Sequence, residues 1–132
     1  MKRAFLAIAV LVPLAACQSE KKPSPVATLP RDNSALGTME RVALAANSCW
    51  FKSKDAAFRP YRLAPELNSF SGRPRILVVP AKNPGDRPVL VVQAEGRPAK
   101  VETFGPLMQQ SNGSRIASDI RRWSAGNNGC NG

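Results

Sequence analysis

The chain predicts an α+β fold: a three-stranded antiparallel meander with one helix before it and one after (α-β-β-β-α), pinned by a disulfide. Two segments with apolar residues at three- and four-residue spacing flank the middle of the chain. Between them lie short β-branched runs separated by turn sequences. A cysteine sits at the end of the first helical segment and another near the end of the chain.

Asp32-Asn33-Ser34 supplies good N-cap residue types. Leu36, Met39, Ala43, Ala46 and Trp50 then recur on one helical face, and Val42 and Cys49 extend it, so a helix is expected over 35–47. Gly37 weakens its first turn, and Cys49 falls at its end, beside the core. The stretch 52–72 alternates cations with Phe58, Tyr61, Leu63, Leu67 and Phe70, while Pro60 and Pro65 exclude a regular central strand or helix. It reads as an ordered loop that can hold a short edge strand.

Strands are expected at 75–79, 89–92 and 100–104, with turns at Asn83-Pro84-Gly85-Asp86 and Glu95-Gly96-Arg97-Pro98. The first two are apolar at successive positions, which predicts burial on both faces. Arg-Pro recurs at 73–74, 87–88 and 97–98, where a proline at a strand start costs no ladder hydrogen bond. A second helix opens near Ser114, with Ile116, Ala117, Ile120 and Trp123 on one face, Arg115, Asp119 and Arg122 elsewhere, and Gly126 as its C-terminal cap.

Ahead of the domain, Met1-Lys2-Arg3 is a basic start, Ala4 to Val12 carries no charge, and small residues follow Pro13. That is the layout of a secretory leader, and the run is about half the ~20 residues a membrane-spanning helix needs. Leu14-Ala15-Ala16-Cys17 resembles the lipobox of bacterial lipoproteins. The resemblance covers the chain to about Gln18. It implies removal of residues 1–16 and acylation of Cys17, so that the chain is held to a membrane through lipid. Gln18, where relatives retained at the inner membrane carry aspartate, implies the inner leaflet of the outer membrane, facing the periplasm. Residues 17–31 then form a proline-bearing tether spanning up to about 40 Å in polyproline geometry, and 32–132 form the domain. Lys21 and Lys22 either touch anionic headgroups or stay solvated.

With Cys17 acylated, Cys49 and Cys130 are the two cysteines left of three, and an oxidising compartment favours a bridge between them. Loss of the leader takes the formal charge from +10 to +8, because Lys2 and Arg3 leave with it. No histidine is present, which removes histidine triads, imidazole metal ligands and imidazole acid–base chemistry. No metal or other cofactor is expected, Glu66, Asp86, Glu95, Glu102 and Asp119 show no paired spacing for acid–base work, and an enzyme is not expected. Trp50 and Trp123 read as core residues.

The cations carry the binding expectation. In the meander, Arg73, Arg75, Arg97 and Lys100 gather at one end of the sheet, while Lys82 and Arg87 fall at the other. Four cations together fit phosphate or carboxylate: lipopolysaccharide, anionic lipid or peptidoglycan. Scattered charge that keeps a small domain soluble is the default explanation for them. Nucleic acid is not expected as a partner of an exported chain. The sequence therefore points to a non-enzymatic binding or structural module of the envelope, whose partner is an envelope protein or an anionic envelope component.

Overall fold

The computed structural model describes residues 31–130. The leader, Cys17 and the tether up to residue 30 lie outside the described residues. Helix α1 spans Ala35–Ala46, with Ser34 as N-cap: its hydroxyl accepts from the Gly37 N–H at 3.1 Å. Asp32 folds over that turn, and a Cβ on Gly37 would stand 2.5 Å from the Asp32 carboxylate. Any larger residue there would have to displace the Asp32 side chain from the N-terminal turn.

The helix does not stop at residue 47. Asn47–Lys52 continues it as a π-helical segment, with Ser53 N–H donating to Ser48 C=O at 3.1 Å. Cys49 and Trp50 both lie in this widened turn and are buried. Helix α2 spans Gly113–Ser124. It ends in a Schellman motif: Gly126, at φ 95°, donates to Trp123 C=O, and Asn127 donates to Arg122 C=O.

The sheet has four strands: β1 (Tyr61–Glu66), β2 (Arg75–Pro80), β3 (Leu90–Glu95) and β4 (Lys100–Phe104). They form an antiparallel meander in chain order. The α+β class and the flanking helices stand; the three-strand expectation is corrected to four. The added strand is β1, in the stretch read as loop. Pro65 is compatible with it because β1 is an edge strand and pairs only with β2, where Pro65 faces Ile76.

Helix α1 packs on β2 and β3, and α2 packs against α1, so one face of the sheet is covered. This corrects the expectation that β2 and β3 are buried on both faces, except at Val79, which is buried on the other face. Ile76, Val78, Leu90, Val92 and Ala94 face the helices and are buried. Their neighbours Leu77, Val91 and Gln93 point to the other face and are half-buried. The core is closed by aromatic rings. Trp50 stacks on Phe58 with centroids 4.5 Å apart and planes 8° apart, and lies 5.0 Å from Trp123. Leu36, expected on the buried face of α1, is 42% exposed; Thr38 and Ala45 are buried instead.

Asp119 was expected on the polar side of α2 and is buried. Its carboxylate accepts from the Trp50 indole N–H at 2.9 Å and from Arg122 at 2.7 Å. The Cys49–Cys130 disulfide is present, with Cα atoms 5.0 Å apart across a sequence separation of 81 residues. On loop-closure entropy alone a bridge over so long a loop stabilises by about 4–5 kcal/mol. The tail is held a second time by the Trp123 indole N–H, which donates to Gly129 C=O at 3.1 Å.

Candidate functional site

The open face of the sheet is organised in cross-strand rows. Glu66, Arg75, Gln93 and Glu102 form a polar row over all four strands, and Ala64, Leu77, Val91 and Phe104 form an apolar row beside it. Within the polar row Arg75 donates to Glu66 at 2.6 Å and Gln93 donates to Glu102 at 3.2 Å. Phe104 ends the apolar row on β4 and is 48% exposed.

The four cations singled out in the sequence do gather at one end, and each meets a carboxylate. Arg73 pairs with Glu95 at 3.0 Å, Arg75 with Glu66 at 2.6 Å, Arg97 with Asp32 at 3.1 Å and Lys100 with Glu102 at 3.6 Å. Arg73 and Lys100 share a hollow with Gln93, Glu95 and Glu102; Arg97 stands apart in the β3–β4 turn. The Gln93 amide, followed by Lys100, holds the Glu102 carboxyl below the usual glutamate range. The Ser34 backbone N–H and hydroxyl, aided by Arg97 and Arg41, do the same for Asp32. This end is therefore a lattice of alternating charge. Exposed pairs of this kind contribute about 0–1 kcal/mol each.

Three other surface features were not singled out from the sequence. A largely apolar groove of about 550 Å³ runs between α1 and β1, lined by Ala43, Leu44, Leu63, Pro65 and Leu67 together with the polar Asn47 and the charged Glu40. Leu44 is 70% exposed there, outside the buried stripe of α1. The sequence signal for it is a leucine off the buried helical face. A shallow opening of about 750 Å³ lies under the β1–β2 loop, which carries the fully exposed Phe70.

The third feature is a hollow of about 400 Å³ at the opposite end of the sheet, lined by Phe51, Lys54, Asp55, Arg59 and Tyr61 over the Trp50–Phe58 stack. Asp55 is held by Arg115 at 2.5 Å. That hydrogen bond, with the Ala57 N–H, lowers the Asp55 pKa from the ordinary aspartate value. Among the described residues no group of three potential metal ligands converges, and no helix is long and apolar enough to cross a membrane.

What the fold and its surface define is a class: a small disulfide-bonded α+β domain with one sheet face covered by helices, the other open, and an apolar groove along one edge. In comparison with known proteins, no family model, curated protein or solved structure matches the chain.

Proposed function

We propose that this chain is the precursor of a lipid-anchored envelope protein, whose domain acts as a non-enzymatic binding or bracing module on the periplasmic side of the outer membrane. The observation that carries the reading is the Cys49–Cys130 bridge. It belongs to an oxidising compartment, and it leaves Cys17 as the one cysteine outside the pair, within Leu14-Ala15-Ala16-Cys17. The groove beside Leu44 and Leu63 supports a binding role: it offers a partner apolar area along an edge strand.

The test is the mass of the mature chain from bacterial membranes. The reading expects a polypeptide beginning at Cys17 and carrying acyl chains, and a Cys17→Ser variant that accumulates with its leader attached. A bare Cys17 thiol in the wild-type chain, or normal maturation of the variant, overturns it. In the same membranes, a crosslinker should join the domain to an envelope protein, and Leu44→Asp should reduce that product severalfold. Crosslinking that the substitution leaves unchanged removes the groove from the reading.

A further inference from the structure

The structure separates the cations of this domain into two populations. Near the point where the chain enters the domain, Arg73, Arg75, Arg97 and Lys100 are paired with carboxylates, while Arg31 and Arg41 donate to the Ala125 and Asp32 carbonyls. Asn33 C=O accepts from Ala99 N–H at 2.8 Å, and Ala35 N–H donates to Gly96 C=O at 3.0 Å, so the chain joins the domain against the β3–β4 turn. The same end holds the four ion pairs described above.

From there α1 and its π-helical continuation run away along the sheet. Their 12 and 6 residues, at about 1.5 Å each, carry the chain about 27 Å. The far end is closed by the Ala81 N–H bond to Pro60 C=O and the Leu107 N–H bond to Val89 C=O. Lys52, Lys54, Arg59, Arg62, Lys82 and Arg87 all lie at this end and are exposed. None of them forms an ion pair among the described residues. Of the two carboxylates in the same region, Asp55 is committed to Arg115, and only Asp86 remains to offset them. The unbalanced charge of the domain is thus concentrated where the chain does not attach.

We infer that this far end, opposite the point where the chain enters the domain, is a docking surface for a carboxylate-bearing polymer, namely the stem peptides of peptidoglycan. The inference deepens the envelope reading and rests on it for the placement of the anchor. Lipid headgroups of the anchoring membrane are the alternative source of negative charge. They are the less favoured source because the end where the chain enters the domain presents four cations already matched by carboxylates, whereas the unmatched cations lie at the other end of α1. The hollow beside Lys54 and Arg59, flanked by the half-buried Phe51 and Tyr61 and with its one carboxylate, Asp55, held by Arg115, gives the surface a concave part in which a peptide carboxylate meets cations over apolar side chains.

The test is co-sedimentation of the mature chain, held in detergent, with purified peptidoglycan sacculi. Binding should fall as salt rises. A Lys54→Gln, Arg59→Gln, Arg62→Gln, Lys82→Gln variant should lose binding by about tenfold or more. A variant with Arg73→Gln, Arg97→Gln and Lys100→Gln should bind as the wild type does. Retention of the Cys49–Cys130 bridge and an unchanged Tm certify that both variants are folded. Sacculi whose carboxylates have been amidated should retain little protein, and vesicles of phosphatidylethanolamine with phosphatidylglycerol should retain less than intact sacculi.

Equal losses from the two variants, full binding to amidated sacculi, or stronger binding to the vesicles each overturn the inference, as does a wild-type chain that does not sediment. Acylation of Cys17, read by mass on the same sample, separates the two readings. An acylated chain that ignores sacculi sinks the docking surface alone. A bare thiol sinks the anchor and with it the orientation argument.

Discussion

The two faces of the sheet are built from similar sequence and meet different surroundings. On β2, Ile76 is completely buried beneath the helices while Leu77, the next residue, lies half-buried on the open face. On β3, Val92 and Val91 divide the same way. Apolar residues at successive positions therefore do not by themselves mean coverage on both sides. The number of elements available to cover a face decides it, and here two helices lie on one side. The open face replaces coverage with cross-strand rows in which apolar side chains shield one another and charged ones pair.

The difference can be broken most severely at Asp119. Asp119→Ala leaves the Trp50 indole N–H without its acceptor and the Arg122 guanidinium without its carboxylate, inside the covered layer. A loss of about 3–5 kcal/mol is expected in urea denaturation, as for a broken buried ion pair. A loss under 1 kcal/mol would show that the Trp50–Asp119–Arg122 contact carries little. The sharpest comparison uses adjacent residues of equal size. Ile76→Ala should cost about 2–5 kcal/mol and Leu77→Ala less than about 1.5. Equal costs would mean that the open face is covered in solution.

The smallest effect is on the polar row. Glu102 titrates below its ordinary value of 4.5 because the Gln93 amide, and then Lys100, favour its charged form. A carboxyl depressed on folding adds stability that is present above its unfolded pKa, and that is lost as pH falls through the lower folded value. Gln93→Ala should move the Glu102 midpoint in a carboxyl NMR titration up toward 4.5 and leave Tm near neutral pH almost unchanged. A midpoint that does not move would assign the depression to Lys100.

Much of this was legible in the sequence where the signal was local. Ser34 capping α1, Gly126 ending α2, and the turns around Asn83 and Gly96 follow from backbone preference within a few residues. Strand β4 was expected over the same five residues, 100–104, that form it. Strand β1 falls in a stretch for which only a short edge strand within a loop is expected, because Pro65 opposes a strand in general and is tolerated only at an edge. Asp119 was placed on the polar side of α2 because helical spacing cannot register that Trp50, 69 residues earlier, needs an acceptor for its indole N–H. The signal was present in the buried tryptophans, each of which requires a partner.

By itself, the sequence determined the helices and their caps, the turn positions and the absence of imidazole chemistry. All of these depend on composition or on neighbours a few residues apart. The tertiary structure alone decided that a fourth strand joins the edge, that one face of the sheet stays open, and that Arg73, Arg75, Arg97 and Lys100 are matched by carboxylates while the far end is not. The physical reason is range. Backbone preference acts over a turn, whereas strand register and burial bring together side chains from distant parts of the chain, and only then is it settled which charges face each other and which are left over.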